Sequence, residues 1–111
     1  MSLAVRIASE FHQDVARQIR WYLQHADAQI AGNYADAVDA TLEFLGRFPD
    51  AGPRCRFLHA ELHDLRQFRV EGSFDRHQVF YRATASELIA VRTLHGMRDL
   101  PRRLLDPPGA E

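Results

Sequence analysis

At 111 residues the chain has the size of a single domain, and we expect one domain over residues 1–111, with residues 106–111 as a frayed tail. Hydrophobic residues make up 46% and charged residues 26%, which is ordinary for a soluble globular protein, and no apolar run approaches the about 20 residues of a membrane span. The formal net charge of −1 argues against general nucleic-acid binding, and the single cysteine, Cys55, excludes an internal disulfide, so a reducing, cytoplasmic location is expected.

The N-terminal half of the sequence predicts a strand followed by two helices. Apolar side chains alternate with others over residues 3–8, which is the period of a strand. Ser9 can then cap a helix, and the apolar residues that follow recur at spacings of three and four up to residue 26. Asp27 can cap a second helix, which ends before Pro49. The short link between them indicates an antiparallel helical hairpin.

Three further strands are predicted in the C-terminal half, over residues 65–70, 77–82 and 87–94. The loop 83–86 is short enough to join the last two as a hairpin. Three consecutive apolar residues, 79–81, indicate that the middle strand is central and covered on both faces.

This order of elements predicts an α+β domain in two layers. The three sequential strands form an antiparallel meander, and the N-terminal strand joins the edge of the sheet. Both helices pack on one sheet face, so the other face is expected to be exposed.

All fourteen basic residues are arginine, and they are unevenly distributed. Residues 1–53 hold four arginines against seven acidic residues, whereas residues 54–103 hold ten against six. Guanidinium groups suit carboxylates and phosphates through paired hydrogen bonds. We therefore expect an anion-facing surface on the uncovered side of the sheet. The arginines concerned are Arg66, Arg69, Arg76, Arg82 and Arg92, with Arg98 just beyond the last strand.

Motifs for metal, cofactor or nucleophilic chemistry are weak. His59 and His63 are four residues apart, but no third ligand has a suitable spacing, so neither a metal site nor a cofactor is expected. Cys55 lies between two arginines, and its simplest interpretation is a half-buried structural thiol. The sequence has no Gly-X-Ser-X-Gly elbow and no glycine-rich phosphate loop.

The last strand runs directly into His95-Gly96-Met97-Arg98-Asp99. Gly96 allows a sharp turn, and the neighbouring arginine and aspartate can brace it. Two interpretations stay open: a structural turn that folds the tail back onto the sheet, and a functional edge.

The chain resembles the RelE/ParE superfamily of toxins from toxin–antitoxin, or plasmid-stabilisation, modules. The similarity extends from about residue 3 to residue 105 and rests on the order of the elements and on four short motifs. The motifs are Phe48-Pro49-Asp50-Ala51-Gly52, Leu65-Arg66, Val79-Phe80-Tyr81-Arg82 and Leu94-His95-Gly96-Met97-Arg98-Asp99-Leu100. The resemblance implies a RelE-like fold and a co-encoded antitoxin.

Two branches of the superfamily imply different activities. RelE-type members cleave mRNA on the ribosome with basic and tyrosine side chains, and Arg66, Tyr81, Arg82 and His95 would then be the candidates. ParE-type members trap DNA gyrase in its DNA-cleaved state by binding, without bond chemistry of their own. The chain has no lysine and no basic–tyrosine pair near its C-terminus, which favours the ParE branch. The residues expected to bind gyrase are Arg66, Arg82, His95 and Arg98.

The implied partners are a ParD-like antitoxin, in a hetero-oligomeric complex, and DNA gyrase; direct sequence-specific binding of nucleic acid is not expected. The antitoxin is expected to dock on the helical hairpin through apolar contacts. The candidate contact residues are Phe11, Val15, Tyr22 and Tyr34. A third interpretation is an inactive homologue that only binds its antitoxin.

Overall fold

The computed structural model describes residues 2–109, which form a four-stranded sheet and a helical hairpin, and the predicted α+β class is confirmed. Two single turns of 3-10 helix lie in the connections: Ala60–Leu62 between the second helix and the second strand, and Gly72–Phe74 between the second and third strands. The strands and helices are β1 (Ala4–Ile7), α1 (Ser9–His25), α2 (Ala28–Arg47), β2 (Arg66–Arg69), β3 (His77–Ala83), β4 (Glu87–His95) and α3 (Arg102–Leu105).

The sheet has the strand order β1-β4-β3-β2. β2, β3 and β4 form the predicted antiparallel meander, and β1 pairs with β4 at the edge in parallel orientation. The register places Arg66 opposite Tyr81 and His77 opposite His95. These two pairs lie four residues apart along β3, and each pair contains a predicted site residue.

The helical hairpin begins and ends close to the predicted positions. α1 begins at Ser9, but the preceding Ala8 occupies the cap position without a side-chain bond, so the predicted Ser9 cap is wrong. The predicted Asp27 cap of α2 is confirmed: its Oδ1 accepts the backbone N–H of Ile30 at 2.8 Å. α2 ends just before Pro49, whose ring cannot continue a helix.

The main core lies between the hairpin and one face of the sheet. Leu45, Val79, Tyr81 and Leu88 are fully buried there. They come from α2, β3 and β4, so apolar burial holds the hairpin against the meander.

A second core covers the opposite face of the sheet, so the expected exposed face is wrong. Leu62 and Leu65 from the segment between α2 and β2 pack with Phe80 and Leu94 of the sheet and with Leu104 of α3. The physical reason is strand alternation: Val79 and Tyr81 face the helices, so Phe80 must be covered from the other side. β3 is therefore covered on both faces, as predicted.

The C-terminal segment contacts the sheet at residue 106. The backbone O of Asp106 accepts a hydrogen bond of 2.6 Å from Nη1 of Arg92. Residues 110 and 111 of the predicted tail lie outside the described residues. No helix within residues 2–109 is long and apolar enough to cross a bilayer.

Candidate functional site

Arg66 and Tyr81 hold the loop that follows α2. The Tyr81 hydroxyl donates to the backbone O of Pro49 at 2.8 Å and accepts the N–H of Gly52 at 3.0 Å. Nη1 of Arg66 donates to the backbone O of Gly52 at 2.7 Å. Burial raises the pKa of Tyr81 above its usual value. Both side chains are thus engaged in structural bonds.

Arg82 lies on the face of β3 opposite to Tyr81. Its Nε donates to Oδ1 of Asp64 at 2.6 Å, and its Nη2 donates to the backbone O of Glu61. The hydrogen bond from Arg82 lowers the pKa of Asp64. Arg82 thereby ties the segment before β2 over the second core.

His77 and His95 face each other at the other end of the sheet. Their ring centroids are 4.8 Å apart, with the rings nearly perpendicular. His77 is buried, and its Nε2 lies 3.0 Å from the Tyr22 hydroxyl. Burial, and then the charge of His95, lower the pKa of His77 to about 4. The His95 side chain is exposed.

The stretch after β4 is a tight, exposed turn. Gly96 has a φ of +76° and Asp99 a φ of +61°, and the N–H of Gly96 bonds to the backbone O of Arg76 at 2.8 Å. The turn presents Met97 and Arg98 to solvent. Within residues 2–109 Arg98 forms no ion pair. The backbone therefore forms the structural turn that the first interpretation predicts. The exposed side chains of Met97 and Arg98 are also compatible with the second interpretation, a functional edge.

The predicted nuclease residues do not converge on one site. Tyr81 and His77 are four residues apart on β3, so the Arg66–Tyr81 pair and the His77–His95 pair are separated by about 13 Å along the strand. Arg82 faces away from Tyr81. The predicted gyrase-binding residues are divided in the same way: His95 and Arg98 lie together, whereas Arg66 and Arg82 lie elsewhere.

Sequence reasoning missed a further group of arginines near His95. A cavity of about 260 Å³ lies between α1 and the C-terminal segment, and Arg17, Arg102 and Arg103 are among its lining residues. Nη2 of Arg103 donates to the backbone O of His95 at 3.1 Å, which keeps this arginine at the turn. We call His95, Arg98, Arg17, Arg102 and Arg103 the basic end. The excess of arginine over residues 54–103 was the feature of the sequence that could have predicted this basic end. No sequence feature placed Arg17 beside those residues.

The predicted antitoxin residues belong largely to the core. Phe11 and Tyr34 are each 1% exposed, so neither presents a surface to a partner in this conformation. Val15 and Tyr22 are half-buried at the edge of the same core. Large apolar side chains are instead exposed at both ends of the hairpin: Trp21, Leu23, Ile30, Phe44 and Phe48.

Within residues 2–109, no three histidine, cysteine or acidic side chains form a group that could hold a metal ion. Burial raises the pKa of the Cys55 thiol, which favours its inert protonated form.

The chain is similar to known proteins both in its sequence family and in its fold. The family model described as the ParE toxin of the type II toxin–antitoxin system, parDE, matches residues 5–100. A structure of a chromosomal ParDE system from P. aeruginosa aligns with a TM-score of 0.70 at 11% identity, over 86% of this chain and 98% of that one. No curated protein sequence matches.

A toxin–antitoxin complex from Mycobacterium tuberculosis, RelBE2, also aligns, with a TM-score of 0.59 at 19% identity. The alignment covers 86% of this chain and 99% of that one. At these identities the structural similarities concern the fold, whereas the family model spans most of the sequence. The chain therefore belongs to the family of ParE toxins of type II toxin–antitoxin systems.

Proposed function

We propose that this toxin acts in the cytoplasm by binding DNA gyrase and holding it in its DNA-cleaved state, and that a ParD-like antitoxin neutralises it. The observation that carries the proposal is the division of the candidate side chains. Arg66, Tyr81 and Arg82, three of the four residues a nuclease would need, are engaged in the fold, whereas His95 and Arg98 of the basic end are exposed.

The Tyr81 hydroxyl is the clearest case. It already donates to the O of Pro49 and accepts from the N–H of Gly52, so a role as acid or base would break the loop after α2. Arg66 bonds to the same loop. Inhibition by binding does not require any of these groups to transfer a proton.

The basic end suits a target that carries anionic groups. Arg98 is exposed and forms no ion pair within the described part of the chain. Guanidinium groups bind both carboxylates and phosphates, and a cleaved gyrase–DNA complex offers both. We assign target binding to His95 and Arg98, with Arg66 and Arg82 acting through the fold.

The antitoxin contact is assigned to exposed apolar surface on the hairpin, flanked by the half-buried Val15 and Tyr22. One part is an aromatic patch formed by Phe44, Phe48 and Phe68, with ring centroids 5.0 and 5.5 Å apart for Phe44–Phe48 and Phe44–Phe68. Phe44 is 40% exposed and Phe48 is 52% exposed. An extended or helical antitoxin segment would bury these rings. The similar structures are themselves toxin–antitoxin complexes, ParDE and RelBE2.

A supercoiling assay tests the activity. Folded protein is incubated with gyrase, ATP and relaxed plasmid, and a denaturing step reveals trapped breaks. We expect linear DNA that depends on gyrase and disappears when the cognate antitoxin is added. Absence of linear DNA would refute gyrase inhibition. Ribosome-dependent cleavage of mRNA would then indicate the RelE-type activity, and no growth arrest on expression would indicate an inactive antitoxin-binding homologue.

A further inference from the structure

The C-terminal segment, residues 102–106, is bound to the last strand of the sheet by one buried guanidinium. The Arg92 side chain on β4 is only 6% exposed. Its Nη1 donates to the backbone O of Arg103 at 3.0 Å and to that of Asp106 at 2.6 Å. The four-residue helix α3 is too short to be stable alone, so its position depends on these bonds, on the burial of Leu104 and on the bonds from Arg103 to the backbone O of His95 and of Arg98.

The other edge of the same guanidinium binds a carboxylate from α1. Nε and Nη2 of Arg92 donate to Oδ2 and Oδ1 of Asp14 at 2.7 and 3.0 Å. Oδ2 of Asp14 also accepts the backbone N–H of Thr93 at 3.1 Å. β1 pairs with β4 only as far as Ala90. Beyond that residue, Asp14 supplies the hydrogen-bond acceptor for the edge of β4 that β1 does not cover.

This arrangement fixes the orientation of the guanidinium. The bidentate contact with Asp14 turns Nη1 toward the C-terminal carbonyls. Three separate parts of the chain, α1, β4 and the C-terminal segment, therefore meet at one ion pair. Arg102 and Arg103 of the basic end lie on the segment that this pair holds.

We propose that Asp14 and Arg92 are positioning residues: their buried ion pair places the C-terminal segment, and with it Arg103, whose bonds to the backbone O of His95 and of Arg98 hold the target-binding turn in place. The first half of the proposal concerns the structure of this chain alone. The second half rests on the proposed inhibition of gyrase, and the two halves are tested separately.

The test needs a variant that folds. Removing one partner leaves a buried unpaired charge, whereas replacing both with apolar side chains of similar volume is often tolerated. The double variant Asp14→Leu with Arg92→Met removes both charges and leaves the carbonyls of Arg103 and Asp106 without their donor. Asp14→Asn is the second variant, because it keeps an oxygen acceptor and the shape of the site. Arg6→Gln, in an exposed ion pair with Glu87, is the control.

Hydrogen–deuterium exchange measures the first half. In the double variant we expect the backbone amides of residues 103–106 to exchange at least about tenfold faster, while those of β3 stay protected, because only the local opening free energy of the segment falls. Asp14→Asn should give a smaller acceleration, and Arg6→Gln none. If both Asp14 variants leave these amides as protected as in the unaltered chain, the positioning role is refuted. If the double variant does not fold, the exchange of residues 103–106 in Asp14→Asn alone tests the positioning role.

The gyrase assay measures the second half. We expect the double variant to need at least about tenfold more protein for the same inhibition, with antitoxin affinity changed by less than about twofold, because Asp14 and Arg92 contribute none of the rings of the aromatic patch. Faster exchange with unchanged inhibition would overturn the functional half only. Lack of inhibition by the unaltered chain would refute the proposed function and leave the exchange result standing.

Discussion

The backbone N–H of Gly52 donates a hydrogen bond of 3.0 Å to the hydroxyl of Tyr81, 29 residues further along the chain. The same hydroxyl donates to the O of Pro49, so one phenol closes both ends of the loop after α2. The motif Phe48-Pro49-Asp50-Ala51-Gly52 and the tyrosine in Val79-Phe80-Tyr81-Arg82, two separate signals in the sequence, are therefore parts of one structural feature.

The Tyr81→Phe substitution tests this role. Loss of the hydroxyl leaves a buried N–H and a carbonyl without their partner, which we expect to cost about 1–3 kcal/mol of the free energy of unfolding. Urea denaturation monitored by circular dichroism measures it. Gyrase inhibition by the protein that remains folded should be unchanged. Full stability together with lost toxicity would show instead that the hydroxyl acts on a substrate.

Gly52 itself is required by close packing. A Cβ at this position would clash with the backbone O of Gln67 and with the ring of Tyr81. We expect Gly52→Ala to destabilise the protein by about 1–3 kcal/mol, the usual cost of overpacking. Gly32→Ala is the matched control, because no atom lies within 4 Å of the added methyl group and alanine favours the helix. Similar unfolding midpoints for the two variants would contradict this account.

Much of the fold could be predicted because each element has a local signal. Period-two alternation identified the first strand, consecutive apolar residues identified the central one, and Asp27 and Pro49 marked the limits of α2. The second core was missed because its cover comes from the irregular residues 54–65, which have no periodicity to read. The buried partnership of Asp14 and Arg92 was missed for a different reason: it joins residues 78 positions apart, and each looks like an ordinary surface charge in its own element.

Among the predicted arginines, we expect Arg98 to affect target binding and Arg66 to affect the stability of the fold. Arg98→Gln should weaken gyrase inhibition by about tenfold, a loss of about 1.4 kcal/mol, without changing the unfolding midpoint, because the side chain is exposed. Arg66→Gln should lower the midpoint, because it removes a bond to the O of Gly52. Inhibition assays and thermal unfolding of both variants measure this, with the exposed Arg56→Gln as control. Equal inhibition by Arg98→Gln and the control would remove Arg98 from the target site.

Antitoxin binding should depend on the aromatic patch. Phe48→Ser removes a ring that is 52% exposed and in contact with Phe44, so we expect weaker binding of the cognate antitoxin by at least about tenfold. Leu58→Ser is the control for the loss of apolar surface, because Leu58 is fully exposed on a different segment. Titration calorimetry with each variant gives the dissociation constants. If both variants bind the antitoxin as tightly as the unaltered chain, the patch is not part of the interface.

His77 should make stability depend on pH. Its folded pKa of about 4 lies below the unfolded value of 6.5, so the unfolded chain binds a proton first as the pH falls. The free energy of unfolding should therefore be highest above pH 6.5 and should fall between pH 6.5 and 4, by about 3 kcal/mol in all. Below pH 4 this contribution is fully lost.

The His77→Phe substitution isolates that contribution. Phenylalanine fits among Tyr22, Tyr34 and Phe74, whose rings surround the site, but it cannot take up a proton. Urea denaturation from pH 7.5 to 4.5 should show a steeper loss of stability for the unaltered chain than for the variant. His12→Gln, at an exposed position of α1, should keep the steep dependence. Parallel curves for the unaltered chain and His77→Phe would mean that another group accounts for the loss of stability in acid.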